Sequence, residues 1–460
     1  MLSLELVLKA TQGQTKLKNI GEFSDITTDS RAVKAGELFV ALKGERFDGH
    51  AYCTRALELG AAAVLVENGT NLPEDKVIVV KDTLNAYQAI AKAYRLSMPR
   101  VKVVAITGSN GKTSTKDLIA ACLASKYNVI KTQANFNNEI GLPKTLLTIK
   151  PDTDVAVVEM GMRGFGQIKA LKDLAQPDTV VITNVGETHM ELLGSMENIA
   201  KAKSEILENL TCHNNAVLNA DDPYIMKMCT GAKITTYGII AGSDIHATKV
   251  DLSGEGTTFS YFSQLTGLTQ DVAMPLIGEH NVMNALAAIS VAELYGVEDD
   301  EISASLSQIV MTEKRQEIEH YGAYTIINDA YNASPASMAA AFSTLEKVVA
   351  AKGKGRAVAV LADMLELGAT SHEAHRRVGS YAAKAKVAEL ITYGKEAQAI
   401  STAAGALGVK THHVADKKEA ALILQKIMQP EDVILFKGSH SMEVDKVITL
   451  AFQGEGQKWI

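Results

Sequence analysis

Lys112 and Thr113 stand side by side after a glycine-rich turn, Gly108-Ser109-Asn110-Gly111, which itself follows the apolar, β-branched run VKVVAI at 101–106. A buried parallel strand, a glycine turn and Lys-Thr at a helix start are the parts of a phosphate cradle. In such a cradle backbone N–H groups and the helix dipole face the anion. The lysine reaches the outer phosphates and the threonine hydroxyl holds Mg²⁺. The usual pattern has one more glycine where Ile106 stands, so Gly108, Gly111, Lys112 and Thr113 carry the assignment. A helix that merely begins after a glycine-rich turn accounts for the glycines but not for Lys-Thr behind such a strand. Nucleotide binding is the stronger reading.

Other groups could serve the same chemistry. Glu159 closes the run DVAVVEM at 154–160, with Gly161 behind it. A carboxylate there completes a Mg²⁺ site begun by Thr113, and the apolar residues before it argue against a solvent-facing glutamate. His189 follows the run TVVITN at 179–184; a lone histidine is more often structural or solvated, and spacing alone favours that. The amides of Asn135, Asn137 and Asn138 are costly to bury unless paired, so they form a turn or a substrate-binding loop. Lys203, in Ala-Lys-Ala-Lys, reads by itself as a surface lysine. Arg31, beside Asp29, Ser30 and Thr28, has the composition of a phosphate or carboxylate site, although loops are polar in any case.

The elements that must position these residues fall into three α/β regions. Residues 1–83 read as a small α/β domain with strands at 38–42 and 77–80 and a helix at 52–59 ending at Gly60. The polar run at 43–50 reads as a loop. Residues 84–312 read as a central P-loop ATPase-like domain with a mostly parallel sheet, with strands at 101–106, 154–160, 179–184, 217–219 and 234–237. Sequence at 244–275 alternates as antiparallel β. Leu252-Ser253-Gly254-Glu255-Gly256 has the form of a transporter-ATPase signature, but it sits in strand-and-turn sequence without the following glutamine and is set aside. Residues 313–460 read as a Rossmann-like, doubly wound domain. Its strands are expected at 324–329, 357–361, 389–392, 412–414 and 433–436, and its helices at 335–349, 372–386, 395–403 and 417–428. Ser334-Pro335 has the form of an N-cap followed by first-turn proline. Asp329, Asp363 and Lys437 fall at C-terminal strand ends, where ligand groups of such sheets gather.

A chain of 460 residues is too long for one core and suggests about three domains. Apolar residues make up 47% and charged residues 22%, ordinary for a folded soluble protein. The net charge of −7 offers no basic surface for a polyanion, so nucleic acid is not expected as a partner. Cys53, Cys122, Cys212 and Cys229 are too far apart for a CxxC pair and read as small buried hydrophobes in a reducing compartment. The start, MLSLELVLKATQG, is not that of a signal peptide, and no stretch reaches the ~20 apolar residues of a membrane span. A cytoplasmic monomer acting on small molecules is expected.

The segments TGSNGKTS, NFNNEIGLP, VVEMGM, TNVGETHMELLGSMENIAKAKSEI, GEHNVMNALAA, NDAYNASP, LADMLELG and FKGSHSMEVDKV occur in the order found in the Mur ligases, and the chain resembles that family over essentially its whole length. These are the ATP-dependent amide-forming enzymes of the peptidoglycan stem peptide. The front segment DSRAVKAGELFVALKGERFDGH resembles the N-terminal domain of the two later enzymes of the series. DAYNASP and NFNNEIGLP point to the last, which adds D-Ala-D-Ala to a UDP-linked muramoyl tripeptide. The preceding ligase carries a DYAH-like segment and an Asp-Asn-Pro-Arg type motif, which this chain lacks.

The resemblance implies roles. Gly108, Ser109, Asn110, Gly111, Lys112, Thr113 and Ser114 would hold the ATP phosphates, and Thr113 and Glu159 one Mg²⁺, with His189 on a second. Lys203 matches a lysine that is often carbamylated in the family, which turns a cation into a metal ligand. His280, Asn281 and Asn284 would lie near the adenine, and Arg315 and Asp329 would reach a phosphate and the ribose. Asn137, Asn138, Asn332, Asp363, Glu366, His375, Lys437 and Ser439 would bind substrate, the last six near the dipeptide. Asp29, Ser30 and Arg31 would lie near the uridine diphosphate end. Lys112, His189, Lys203 and Arg315 would be catalytic. The rivals are another Mur ligase, a folylpolyglutamate-synthetase-like ligase, which would not be expected to carry the DSR…DGH front segment, and a P-loop ATPase coupling hydrolysis to motion, which would turn over ATP without an acceptor. The third residue of the tripeptide is not written in the sequence.

Overall fold

The computed structural model describes residues 2–44, 47–68, 71–252, 256–311 and 315–452. Glu45 and Arg46 of the polar loop, and Ser253, Gly254 and Glu255 of the discarded signature, lie outside the described residues. So does the boundary expected at 312–313. The chain divides into two compact units. One is Met1–Ala105, Tyr127–Met160 and Lys169–Asp178, and the other is Ile106–Lys126, Gly161–Ile168 and Thr179–Ile460. The division falls inside the strand Lys102–Thr107 and not at 83–84.

The first unit holds a five-stranded sheet in the order Gln14–Thr15, Val77–Val79, Ala63–Val66, Leu38–Val40, Ile26–Thr27. All pairs are parallel except the first. Period-two alternation feeds two cores: Leu38 and Val40 pack with Leu65, Ile78 and Ile90, while Phe39 and Ala41 pack with Val64, Val66 and Cys53. The strand Ala63–Val66, absent from the expected set, is buried along its whole length. The expected helix at 52–59 is a 3-10 turn, Gly49–Tyr52, leading into the helix Cys53–Glu58. The helix Thr83–Leu96 starts at Asp82, whose carboxylate accepts from Asn85 N at 2.7 Å. It packs against the helix Gly141–Leu147. Val129–Lys131 and Val155–Glu159 pair in parallel in this unit.

In the second unit Thr179–Ile182, Asn215–Asn219, Lys233–Gly238 and Ile245–Asp251 run parallel. Thr257–Ser263 and Thr269–Met274 then continue antiparallel, as the alternation at 244–275 predicts. The helix Lys112–Ala124 packs on the helix Glu279–Leu294, which is apolar nearly all round and buried accordingly. The C-terminal sheet has the order Glu317–Tyr321, Tyr324–Asn328, Val433–Lys437, Ala357–Ala362, Glu389–Tyr393, Lys410–Val414. Only its first pair is antiparallel. Both faces are covered, with Ala357, Ala359 and Leu361 in one core and Val358, Val360 and Ala362 in the other. This is the doubly wound sheet expected, with the crossing of strand order beside Val433–Lys437. None of the described helices is long and apolar enough to cross a membrane.

Candidate active site

The strand Lys102–Thr107 delivers the glycine turn to the start of the helix Lys112–Ala124. Gly111, at φ +79°, is the residue before that helix, and a Cβ on it would stand 2.5 Å from Asn284 Oδ1. A Cβ on Gly108 would meet Thr183 Oγ1 at 1.8 Å. Both glycines are therefore required by close approach. The loop between them is fixed by the segment after Thr179–Ile182. Ser109 N donates to Asn184 O at 2.9 Å and Asn110 N to Asn184 Oδ1 at 2.9 Å. Thr183 Oγ1 donates to Asn110 O at 2.6 Å. Ser109 Oγ exchanges bonds with Gly186 and accepts from Thr188 Oγ1 at 3.1 Å. Ser334 Oγ, from the start of the helix Pro335–Lys352, donates to Asn110 Oδ1 at 2.8 Å. Lys112 Nζ folds back onto Gly108 O at 2.8 Å and Ser109 O at 3.3 Å, over the mouth of its own loop. Thr113 is buried on the first turn of the helix and Ser114 half-buried beside it.

Behind the loop, Asn284 Oδ1 accepts from Thr115 Oγ1 at 3.2 Å, and Asn284 Nδ2 donates to Asn281 Oδ1 at 3.3 Å. Asn281 is anchored in turn on Ile277 O at 3.1 Å. These two amides support the glycine turn from its rear. His280, on the same helix, pairs through Nε2 with Gln316 Oε1 at 3.1 Å, and burial holds its pKa below the usual imidazole value.

His189, at φ +57°, sits at the start of the short helix Met190–Leu193, and its Nδ1 lies 2.6 Å from Glu366 Oε2. The hydrogen bond from His189 holds the Glu366 carboxyl below its ordinary value, against the opposing effect of burial. Lys203 is not the surface lysine its local sequence suggests. It is 2% exposed on the helix Met196–Ser204. Burial pushes its amine well below the ordinary lysine range, with the Lys112 charge adding to the effect. The alanines on either side gave no sign of this, because burial comes from the helix face that Lys203 shares with Ile199 and Ala202.

At the C-terminal strand ends, Lys437 Nζ donates to Asp329 Oδ2 at 2.6 Å and to Asn332 O at 2.9 Å, so three expected site residues are joined, Lys437 and Asp329 buried and Asn332 exposed. Burial lowers the Lys437 pKa even against the opposing pull of Asp329. Asp363 accepts from Ala397 N at 2.7 Å, and its carbonyl accepts from Ser439 N at 3.0 Å. Ser439 Oγ accepts from Leu365 N at 2.9 Å. His375 is fully buried, accepting Met364 N on Nε2 at 3.0 Å, with Ser371 O 2.7 Å from Nδ1. It acts here as a brace for the 363–365 loop. The Arg315 guanidinium lies 4.0 Å above the Tyr331 ring, with its Nε buried and without a hydrogen-bond partner among the described residues.

In the other unit Glu159 is 3% exposed at the end of Val155–Glu159, and Asn137 Nδ2 donates to its Oε1 at 2.8 Å. Asn138 Oδ1 accepts from Gly141 N at 2.9 Å, at the first residue of the helix Gly141–Leu147. The amide-rich stretch is thus used by the protein itself at these two positions. Asp29 and Arg31 form a two-pronged ion pair at 2.8–2.9 Å with Arg31 well exposed, and the Arg31 hydrogen bonds hold Asp29 down at about 2. Ser30 between them is half-buried. Thr183, Asn184, Gly186 and Thr188 hold the loop although the sequence assigned them no role, and Ser334 holds it besides being the helix N-cap expected of it. The signal for the first four was a polar run directly after an apolar strand.

Among the described residues no group of three or more His, Cys, Asp or Glu side chains is placed to hold a metal ion. The oxygen donors Thr113 and Glu159 are of the kind Mg²⁺ takes, and the Glu366 contact on Nδ1 directs any ligation by His189 to Nε2.

Three family models cover most of the chain: the Mur ligase family catalytic domain at residues 22–110, the Mur ligase middle domain at 106–292, and the Mur ligase glutamate ligase domain at 314–440. The UDP-N-acetylmuramoyl-tripeptide–D-alanyl-D-alanine ligase of Bacillus subtilis is 41% identical, over 92% of this chain and 92% of its own. The chain belongs to the Mur ligase family. A MurF crystal structure from Acinetobacter baumannii superposes with a TM-score of 0.89 at 29% identity, over 98% of both chains. The MurF ligase of Thermotoga maritima in complex with ADP gives 0.82 at 26% identity, over 93% of this chain and 97% of that one. The fold is the three-domain α/β fold of these Mur ligases.

Proposed function

We propose that the chain joins D-Ala-D-Ala to a UDP-linked muramoyl tripeptide at the cost of ATP, in peptidoglycan precursor synthesis. One observation carries the reading. A glycine phosphate loop, held on both sides by hydrogen bonds, lies in a chain 41% identical to a ligase of that name over nearly its full length. The tripeptide carboxylate attacks the γ-phosphorus of ATP and ADP leaves, giving an acyl phosphate. The dipeptide amine then attacks the acyl carbon, and phosphate leaves from the tetrahedral intermediate.

The first step brings two anions together. Lys112 and Arg315 are the cations assigned to that charge, and the N–H groups at the start of the helix Lys112–Ala124 add a fixed positive potential. Mg²⁺, when bound, supplies further charge neutralisation on the phosphates. Thr113, Glu159 and His189 are its proposed ligands. Lys203 is proposed to carry a carbamate, and its buried, readily neutral amine supports this, because only the free amine reacts with CO₂. His280, Asn281, Asn284 and Asp329 are proposed for the nucleoside, although Asn281 and Asn284 also brace the loop. Asn332, Asp363, Lys437 and Ser439 are proposed around the dipeptide, and Asp29, Ser30 and Arg31 for the uridine diphosphate end. Exclusion of water protects the acyl phosphate. Domains at 1–83, 84–312 and 313–460, a monomeric state and a cytoplasmic location complete the proposal.

Phosphate release from ATP tests it. Release that requires both the tripeptide substrate and D-Ala-D-Ala is expected; rapid hydrolysis with neither present would sink the ligase reading. Running the assay with the diaminopimelate and the lysine tripeptides identifies the third residue.

A further inference from the structure

Two stretches far apart in the chain meet around His189. His189 Nδ1 lies 2.6 Å from Glu366 Oε2, and Glu191 N donates to Glu366 O at 3.1 Å. A Cβ on Gly368 would come within 2.8 Å of Glu191 Cα, so the two backbones are in close contact there. Arg163 Nε is 3.6 Å from Glu366 Oε1, and Arg377 pairs with Glu187. His189 and Glu366 both adopt left-handed backbone, at φ +57° and +63°, a conformation that costs energy for residues with a Cβ. The segment after Thr179–Ile182 and the segment after Ala357–Ala362 are thus stitched at several points, and one stitch ends on an imidazole.

We propose that Glu366 is a positioning residue for the ligase reaction, fixing the ring and tautomer of His189 so that Nε2 carries the lone pair that ligates the nucleotide's metal ion. The inference rests on the reading of His189 as a metal ligand in the proposed ligase. A carboxylate accepts only from a ring N–H, so in the neutral ring, the form that ligates a metal, Nδ1 bears the hydrogen and Nε2 the lone pair. Glu366 reaches His189 from the C-terminal sheet. The metal ligand on the central sheet is therefore fully oriented only when the C-terminal sheet is docked against it. The largely exposed Arg163 guanidinium, 3.6 Å from the second carboxylate oxygen, adds only a weak charge attraction there, while Arg377 and Glu187 join the same segments without touching the ring.

Mn²⁺ binding in the presence of ADP, followed by the paramagnetic resonance of free Mn²⁺, tests this independently of turnover. Replacement of a group that orients a metal-bound histidine costs about 10- to 100-fold in metal affinity. Glu366→Ala and Glu366→Met are expected to weaken Mn²⁺ binding by at least about 10-fold. Glu366→Gln retains an acceptor for Nδ1–H and should stay close to wild type, and Arg377→Ala should leave the Mn²⁺ constants unchanged. The two apolar variants guard against loss of folding in either one, with thermal unfolding as the check. Wild-type Mn²⁺ affinity in both apolar variants overturns the proposal, and so does an equal loss in Arg377→Ala, which would reduce the contact to docking alone. Wild-type protein that binds Mn²⁺ and ADP but makes no peptide bond would overturn the ligase reading, while the Mn²⁺ constants of the variants still decide the role of Glu366.

Discussion

The Asn137 side-chain amide donates to Glu159 Oε1 at 2.8 Å, and the Glu159 backbone N–H donates to Thr132 Oγ1 at 3.0 Å. The carboxylate is thereby held in one rotamer in a nearly water-free position. Asn137→Ala removes a bond to a charged group, worth about 1.5–3 kcal/mol. The Mg²⁺ concentration giving half-maximal phosphate release should rise by about 10-fold or more. Asn137→Asp sets a second carboxylate against Glu159 and should abolish turnover. A Mg²⁺ titration that is unchanged in Asn137→Ala would show that Glu159 needs no such support.

Lys437 and Asp329 form a buried ion pair. Lys437→Met strands the Asp329 carboxylate away from water and should cost about 3–5 kcal/mol of stability. Adding Asp329→Asn removes the stranded charge and should recover part of the loss. Urea unfolding midpoints of the single and double variants measure the coupling, and simple additivity would contradict it.

Gly111→Ala asks a residue with a Cβ to adopt φ +79° and to stand 2.5 Å from Asn284 Oδ1. Both demands fall on the turn that presents the phosphate-facing N–H groups. ADP binding by calorimetry should weaken by at least about 100-fold, since strain of about 1–3 kcal/mol adds to a displaced Asn284. The five-stranded sheet of the N-terminal region is remote in sequence, and the far-ultraviolet dichroism should remain that of the wild type.

Lys203→Ala should be inactive, and millimolar formate or acetate should restore part of the activity by replacing the carbamate's oxygens. Lys203→Arg should be inactive as well, because a guanidinium does not shed its proton. An unimpaired Lys203→Ala enzyme would show that the buried amine has no part in the reaction.

Glu293 lies on the helix Glu279–Leu294, with Ser263 Oγ donating to its Oε2 at 2.5 Å. Its pKa is raised from 4.5 to about 7, chiefly by burial and with the nearby Asp299 adding to the rise, against the lowering effect of the Ser263 bond. The folded state thus holds this proton more tightly than the unfolded chain does. Its stabilising contribution is complete below pH 4.5 and is lost as pH rises through about 7. The melting temperature of the wild type should fall between pH 5 and pH 8 by more than that of Glu293→Gln, which cannot ionise. Equal slopes would assign the proton elsewhere.

Strands buried on both faces were the most legible part of the chain. Runs such as AVAVLA and VILFK have one periodicity and one fate, and the expected bounds differ from the observed ones by only a residue or so at the ends. Glu317–Tyr321 was invisible because EIEHY places its glutamates on the half-buried side and Ile318 on the exposed side of a sheet edge, where its pairing comes from Tyr324–Asn328. The helix Glu279–Leu294 shows no apolar stripe, since it is covered on nearly every side. At the site, glycines and strand-end charges could be read directly, because each reports a local backbone demand. Partnerships could not. Nothing near Glu366 points to His189, nothing near Asn137 points to Glu159, and Lys203 looks exposed until the neighbouring helix packing is known.

Ser334 and Asn110 are separated by 224 positions in the chain and joined by one hydrogen bond. On a translating ribosome the glycine loop emerges long before the residue that clamps it. Domains generally fold as units in order of synthesis, so the central sheet can form while its phosphate loop still lacks that clamp. ATP in the surrounding solution then meets a loop of incomplete geometry until the C-terminal sheet has been made.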